Sequence, residues 1–218
     1  MRCFGAVITK KLQPCGYVLN KQPKDLIAAH IDRSLAALER ATLDAALLAT
    51  ARGIAAAVIA ALRAGNKLLI VGNGGSAADA QHIAAEIIGR YKHDRPGYAA
   101  IALTTDTSAL TAIANDNGFE QVFARQVEGL GRRGDVLLAL STSGRSPNIL
   151  AALRRARELG LVTVGFTGQK GEALGDFCDH LLISPSDDTP VVQQIHLTVA
   201  HGICDEIEQT MMRKVTRE

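Results

Sequence analysis

The chain has 218 residues, 47% of them hydrophobic, which is enough to bury a full core without a disulfide or a structural metal. Its 24 basic and 22 acidic residues give a formal charge of +2 and are spread along the chain, which argues against a nucleic-acid partner. The four cysteines have no CxxC spacing, so we expect reduced thiols in a cytoplasmic protein. Charges interrupt every long apolar run short of the ~20 residues of a membrane span, and we expect no membrane association.

In chain order, residues 1–24 show no clear signal-peptide cleavage site, and we expect them to form a flexible N-terminal extension. From Asp25 to about Ala64 the chain is rich in Ala and Leu, which predicts a pair of helices. Four of their apolar residues recur at spacings of three and four and share one face: Ile27, Ile31, Leu35 and Leu38. Such an apolar stripe has to be buried, and in a small enzyme another subunit often covers it.

Five short apolar runs without polar alternation then predict strands that are covered on both faces. These runs are Leu68 to Gly72, Tyr98 to Leu103, Asp135 to Leu140, Leu161 to Phe166 and His180 to Ser184. Helical stretches separate them, the first from Ser76 to Tyr91, so we predict βα units and a parallel sheet of about five strands. The predicted fold is α/β, as a single domain over residues 25–218.

Two loops that follow predicted strands have the composition of phosphate-binding loops. The first, Asn73-Gly74-Gly75-Ser76, lets the backbone turn tightly and approach a ligand, and it ends in a good N-cap residue. The second, Ser141 to Asn148, supplies four hydroxyls, a glycine for positive φ at Gly144 and an N-cap at Ser146. Either loop alone could be an ordinary βα turn, but two on one sheet edge favour a phosphate at helix N-termini. Neither has the Walker A or GxGxxG spacing of a nucleotide site.

Histidine and glutamate side chains on two predicted helices are the candidates for chemistry. His82 and Glu86 lie one turn apart on one helix face, although such a pair is more often a solvated surface pair. A second helix, opened by Thr189-Pro190, carries three polar residues in an apolar run: Gln193, His196 and His201. A single histidine on an apolar helix is usually structural. In combination, two histidines, a glutamate and an amide oxygen suit zinc.

Four segments make the chain resemble a known family. They are GNGGSAADAQHIAAE, AIANDNGFE, LALSTSGRSPNI and QQIHLTVAH. The chain is similar to the sugar isomerase (SIS) domain family, and within it to the bacterial phosphoheptose isomerases, from about Asp25 to Met212. The resemblance implies a three-layer α/β/α sandwich with a flavodoxin-like sheet, and a homotetramer assembled through the N-terminal helices.

The resemblance also implies site residues. The residues implied to contact the sugar phosphate are Asn73, Gly74, Gly75, Glu86, Asn115, Asp116, Ser141, Thr142, Ser143, Ser146 and Gln193. Those implied to hold one zinc ion per subunit are His82, Glu86, Gln193 and His201. Helical periodicity by itself would choose Gln194, which lies nearly on the face of His201, instead of Gln193. Arg145 stands where the family has a small polar residue, which leaves its role at the phosphate open.

The implied reaction interconverts sedoheptulose 7-phosphate and D-glycero-D-manno-heptose 7-phosphate, the first step towards ADP-heptose and the lipopolysaccharide core. A proton moves between adjacent carbons through an enediol, with Glu86 as the base at carbon and His201 as the acid/base partner. A carboxylate bound to zinc is a poorer base. Either Glu86 therefore shifts its coordination during turnover, or the roles are divided differently.

Three other functions share this fold. The main alternative is a non-catalytic SIS-fold partner of the bacterial replication initiator, in which the residues matching Glu86 and His201 are replaced; this chain keeps both. A sugar-phosphate-sensing regulatory domain would bring a DNA-binding segment. An isomerase of hexose or pentose phosphates would share the phosphate loops, but the set of His82, Glu86 and His201 disfavours it.

Overall fold

The computed structural model describes residues 25–213, so the extension predicted over residues 1–24 lies outside the described residues. Seven helices and five strands alternate along this part of the chain. They are α1 Leu26–Leu43, α2 Ala45–Arg63, β1 Leu68–Gly72, α3 Gly75–Ile88, β2 Ala100–Ala102, α4 Thr107–Asn117, α5 Ala124–Leu130, β3 Val136–Leu140, α6 Pro147–Leu159, β4 Val162–Gly168, β5 His180–Ser184 and α7 Thr189–Met212. Two 3-10 segments, Phe119–Gln121 and Gln169–Phe177, follow α4 and β4.

The five strands form one sheet in the order β2-β1-β3-β4-β5, and every neighbouring pair is parallel. The predicted five-stranded parallel sheet with flavodoxin-like order is therefore confirmed. β2 is shorter than the predicted run from Tyr98 to Leu103, whereas β1 and β5 have their predicted bounds. The strand order reverses between β1 and β3, and the loops after these two strands open at the carboxyl edge where ligands of such sheets bind.

The core lies on both faces of the sheet, which explains why the strands show no polar alternation. In β1, Leu68 and Ile70 belong to the cluster beneath α2, α3 and α7. Leu69 and Val71 belong to the opposite cluster, beneath α5 and α6. All five β1 residues are buried. The predicted three-layer α/β/α arrangement is confirmed.

The N-terminal helices divide at Asp44, whose carboxylate accepts hydrogen bonds from the N–H groups of Ala46 and Leu47 at 3.0 Å each. Asp44 thus ends α1 and caps α2. Among the described residues, the apolar stripe predicted on α1 is largely uncovered: Ile27 is 75% exposed, Ile31 59% and Leu35 54%. Leu38, the fourth residue of the stripe, packs with Ala37 and Ala41 against the core, whereas the other three residues face away from it.

Helix α2 corrects the expectation that no segment reaches the length of a membrane span. By length and composition alone, its 19 residues are apolar enough to cross a bilayer. Its buried side chains, among them Ile54 and Val58, pack in the core cluster below the sheet. We interpret α2 as a core helix for this reason.

Helix α3 ends at Ile88 and not at Tyr91, where the periodicity predicted its end. Two buried charged side chains cause the difference. Arg95 donates to the backbone carbonyls of Glu86 and Ile87, at 2.8 and 2.9 Å. Glu208 of α7 accepts from the N–H groups of residues 91–93. The backbone groups at the end of α3 and just after it therefore form hydrogen bonds with these two side chains. They do not form the backbone hydrogen bonds that would continue the helix.

Candidate active site

The first predicted phosphate loop connects β1 to α3. A Cβ at Gly72 would overlap the carbonyl oxygen of Ser76, so only glycine permits so tight a turn from strand into helix. The N-cap is Gly74, with φ of 55°, and not Ser76 as predicted; Ser76 is buried inside the first turn. Gly74 and Gly75 are both exposed, so the N-terminus of α3 is open to a ligand.

The second loop connects β3 to α6 and has the predicted form. Gly144 has φ of 65°, and Ser146 is the N-cap that precedes Pro147. The side chain of Ser146 makes no capping bond; its hydroxyl lies 3.3 Å from that of Ser141. The Ser143 hydroxyl accepts the backbone N–H of Arg145 at 3.3 Å. The Arg145 side chain is exposed, and Thr142 is half-buried within the loop.

An asparagine pair joins the two loops. The Asn73 amide donates to the Asn148 oxygen at 2.9 Å, and the Asn148 amide donates back to the Asn73 oxygen at 2.8 Å. Asn148 is buried, and the sequence did not single it out as a site residue. An open cavity of about 430 Å³ borders this pair; it is lined by Asn73, Phe119, Glu120, Ser146, Pro147 and Asn148. The reciprocal pair thus fixes the spacing of the two helix N-termini that border the cavity.

Helices α3 and α7 lie side by side, and predicted site residues meet at two places along them. At the loop end, a Cβ on Gly75 would overlap the side-chain amide of Gln193. Further along both helices, the Nε2 atoms of His82 and His201 lie 2.9 Å apart. The two contacts are seven residues apart on α3 and eight on α7, or about 10 and 12 Å of helix.

The choice between the two glutamines follows from this packing. Gln193 faces α3 and the first phosphate loop, whereas the Gln194 amide lies 3.2 Å from the His30 ring on α1. The periodicity argument for Gln194 therefore fails, because that side chain is directed to another helix. The structure gives no distance that makes Gln193 a metal ligand, and that role stays a prediction.

Three predicted residues come together as a compact cluster. The Nε2 atom of His82 lies 3.3 Å from Oε1 of Glu86 and 2.9 Å from Nε2 of His201. One donor atom from each of the three residues can be chosen so that all lie within 4.8 Å of one another. The His82 side chain is 46% exposed and that of Glu86 20%, so solvent and ligand can reach the cluster.

The geometry fits a metal ion. Four ligands at the usual zinc distances of about 2.0 to 2.1 Å stand roughly 3.3 Å from one another in a tetrahedron. The separations of 2.9 and 3.3 Å at His82 are close to that value, and two imidazoles with one carboxylate are donors that zinc accepts. The cluster is therefore a group of side chains that could hold a metal ion.

Asp79 lies one turn before His82 on α3. Burial raises the pKa of its carboxyl group, and the nearby His82 opposes that rise. One of its oxygens is buried without a hydrogen-bond partner among the described residues. Nothing in the sequence sets Asp79 apart from the other polar residues of the helix.

Other predicted residues are less closely tied to the site. Asn115 and Asp116 are exposed near the end of α4, where the Asn115 amide donates to the Asp116 carboxylate at 2.7 Å. Phe119 and Glu120, just beyond them, line the cavity beside Asn73.

His196 is fully buried, packs against Phe166 and lies 3.3 Å from the carbonyl of Thr167. Burial lowers the pKa of His196 to about 4, so it is a neutral core residue.

Known proteins resemble this chain in sequence and in fold. The SIS domain family matches residues 30–168. The phosphoheptose isomerase of Bradyrhizobium sp. strain BTAi1 is 68% identical over 198 residues, which are 91% of this chain and 100% of that protein. The enzyme of the same name from Burkholderia pseudomallei strain K96243 is 55% identical over 78% of this chain and 87% of its own.

Two solved structures of proteins with that name have the same fold. The phosphoheptose isomerase of Neisseria gonorrhoeae superposes with a TM-score of 0.79 at 42% identity, over 84% of this chain and 97% of that one. The one from Francisella tularensis gives a TM-score of 0.81 at 37% identity, over 85% and 97% of the two chains.

Proposed function

The chain belongs to the phosphoheptose isomerase family of SIS-domain proteins, and from this we propose that it interconverts sedoheptulose 7-phosphate and D-glycero-D-manno-heptose 7-phosphate. It is an aldose-ketose isomerase, and the reaction proceeds through an enediol. This step supplies the precursor of ADP-heptose for the lipopolysaccharide core. The proposed place of action is the cytoplasm.

One observation carries the proposal: α3 begins at the first phosphate loop and carries His82 and Glu86 further along, where His201 of α7 joins them. The two places are about 10 Å apart along α3. An extended sugar phosphate can therefore place its phosphate at the helix N-termini and its carbonyl carbons beside the cluster.

The phosphate end is assigned to the two loops. The hydroxyls of Ser141, Thr142, Ser143 and Ser146 surround it, and Asn73, Gly74 and Gly75 supply the neighbouring helix N-terminus. Asn115 and Asp116 contact the sugar hydroxyls from the end of α4, and Gln193 contacts the sugar beside Gly75. Those roles rest on the family resemblance and on the position of each residue at the carboxyl edge of the sheet.

The chemical end is assigned to Glu86 and His201. Glu86 removes the proton from one carbon and returns it to the neighbouring carbon of the enediol, while His201 moves a proton between the two sugar oxygens. His82, Glu86, His201 and Gln193 would hold one zinc ion per subunit, with Gln193 supplying an amide oxygen. Bound there, zinc would polarise the substrate carbonyl and stabilise negative charge on its oxygen.

The alternative of a non-catalytic replication-initiator partner is not supported. The related proteins quoted above carry the name phosphoheptose isomerase, and this chain keeps Glu86 and His201 in contact distance of a common point. A protein with no reaction to run would have no need of that arrangement.

The direct test of the function is a turnover assay. Purified protein is incubated with sedoheptulose 7-phosphate, and formation of the aldose is followed by NMR. We expect conversion to an equilibrium mixture, and the same mixture from the aldose side. Binding of the sugar phosphate without conversion would support the non-catalytic alternative instead.

The second loop gives a prediction on binding. Loss of one hydrogen bond to a charged group costs about 1.5 to 3 kcal/mol, so Ser143→Ala should weaken binding of the phosphorylated substrate roughly ten- to a hundredfold. Calorimetric titration measures the dissociation constant of the phosphorylated substrate. Ser108→Ala, at an exposed position in the first turn of α4, is the matched control and should bind as the wild type does. An unchanged dissociation constant for the Ser143 variant would place the phosphate elsewhere.

The uncovered stripe on α1 supports the homotetramer that the family implies. Ile27, Ile31 and Leu35 are more than half exposed, and beside α1 lies an apolar groove shared with α2 and α7. A closed symmetric assembly would cover the same surface on every copy. Neighbouring chains would then also form walls of the active sites.

Leu35→Asp tests this assembly. The charge should lower both tetramer formation and turnover, because a buried carboxylate without a partner destabilises an interface. Light scattering should give about four times 23.1 kDa for the wild type and a lower mass for the variant. Glu39→Asp, one turn along α1 at an exposed position, is the control. A fully active wild-type monomer would contradict the tetramer.

A further inference from the structure

A segment after α3 packs against α7 beside the cluster; we call residues 89–98 the strap. Its central residue is Arg95, whose side chain is only 2% exposed. The guanidinium donates to four backbone carbonyls, those of Glu86, Ile87, Gly89 and Pro96, at 2.8 to 3.2 Å. It also lies 4.3 Å from the centre of the Tyr98 ring. Arg95 therefore satisfies the carbonyls that the end of α3 leaves without partners.

Glu208 holds the other side of the strap. Its carboxylate is fully buried and accepts the N–H groups of Tyr91, Lys92 and His93 at 2.8 to 2.9 Å. It also pairs with the Arg95 side chain at 3.1 Å. Burial alone would raise the pKa of Glu208, but the N–H donors and His93 lower it to about 2. The hydrogen bonds thus favour the charged form of the carboxylate.

The buried pair connects both helices that carry the cluster. Arg95 binds the carbonyl of Glu86 itself, and Glu208 lies two turns beyond His201 on α7. Between them, Tyr91 stacks on the His201 ring, with 5.7 Å between ring centres and 28° between planes. The backbone N–H of Tyr91 is one of the donors to Glu208. Glu208 is therefore connected to His201 through Tyr91 and to the backbone of Glu86 through Arg95.

We propose that Glu208 and Arg95 are positioning residues for the isomerase reaction: they hold Glu86 and the Tyr91 ring so that His201, His82 and Glu86 share one metal ion. The inference rests on the function proposed above. Neither residue touches substrate, and both act through the strap. Groups that hydrogen-bond to metal ligands typically contribute ten- to a hundredfold to metal affinity or rate, and we expect an effect of that order here.

Glu208→Gln tests the proposal because it removes the charge and keeps the shape. Zinc affinity is measured by competition with a chromophoric chelator, on protein shown to be folded by circular dichroism. We expect zinc affinity and kcat each to fall roughly ten- to a hundredfold, with KM for sedoheptulose 7-phosphate changing less than about threefold. A purely structural role would lower the unfolding temperature and leave the zinc affinity of the folded protein unchanged, and that result would overturn the proposal.

The matched control is Asp205→Asn. Asp205 lies on the same helix and binds Lys92 of the strap at 2.5 Å, but that lysine is half exposed. Exposed pairs contribute little, so zinc affinity and kcat should stay within about twofold of the wild type. An equal loss in this variant would mean that any disturbance of the strap suffices, and it would overturn the special role of the buried pair.

If Glu208→Gln does not fold, variants of Tyr91 provide a second test of the positioning role. Tyr91→Leu removes the ring on His201 and should weaken zinc about tenfold, whereas Tyr91→Phe keeps the ring and should restore wild-type affinity. Equal zinc affinity in the two variants would overturn the proposal. Zinc affinity needs no substrate, so these results stand apart from the turnover assay, and a wild type that binds no zinc would refute the positioning role.

Discussion

Glu86→Gln should remove turnover while the protein still binds the sugar phosphate. A base positioned at carbon accounts for roughly 10²- to 10⁴-fold of the rate, and glutamine cannot accept the proton. The Glu86 side chain is 20% exposed and lies 3.3 Å from His82, so the substitution changes little packing in the core. We expect kcat to fall by at least a hundredfold and the dissociation constant of the phosphorylated sugar to change little, because the phosphate loops are untouched.

The control for this variant is Glu158→Gln. Glu158 is exposed on α6, where it pairs with Arg155, so the same chemical change there should leave kcat unaltered. Near-normal turnover by the Glu86 variant would mean that another group acts as the base at carbon. Zinc affinity measured on the same samples shows how much of the loss comes from a missing ligand.

His201→Asn is the second variant with a large expected effect, because His201 is both an acid/base group and a metal ligand in the proposed site. The ring is half-buried, stacks on Tyr91 and lies 2.9 Å from His82. Its loss should lower kcat at least a hundredfold and also weaken zinc. Both quantities are measured by the assays described above for Glu208.

His30→Asn provides the comparison for that variant. His30 lies on α1, and its ring contacts Gln194 at 3.2 Å, away from the cluster. Turnover and zinc affinity should both stay near the wild-type values. If His201→Asn kept its zinc affinity and lost only rate, the histidine would be an acid/base group and not a ligand, and the proposed zinc set would be wrong.

The periodic features of the chain were predictable because they reflect burial. The strand runs predicted from unbroken apolar residues correspond to the observed sheet, and β1 and β5 have their predicted ends. The positive φ at Gly144 and the N-cap at Ser146 followed from local backbone chemistry. Each of these depends on neighbouring residues in the sequence or on one face of one element.

Features that depend on a distant partner could not be predicted in the same way. The end of α3 is determined by Arg95 and Glu208, and Glu208 is 120 residues beyond Ile88. The pairing of Asn148 with Asn73 requires that β1 and β3 be neighbours in the sheet. Gln193 and Gln194 differ by one residue, and only the packing of α7 between α1 and α3 separates their roles.

The exposed stripe on α1 could be predicted only in part. The pattern of Ile27, Ile31 and Leu35 correctly indicated an apolar face, and residues 25–213, the part that the structure describes, do not cover it. Helical periodicity reports that a face is apolar and not what covers it. That question needs the assembly measurements on Leu35→Asp.

The central claim is that the cluster at the α3–α7 contact isomerises a sugar bound by the two phosphate loops. Its most direct test is an NMR time course of sedoheptulose 7-phosphate with wild-type protein and Glu86→Gln, both loaded with zinc and both shown to bind the sugar phosphate. The account predicts aldose formation by the wild type and none above background by the variant. A wild type that binds the sugar phosphate and leaves it unchanged would contradict it.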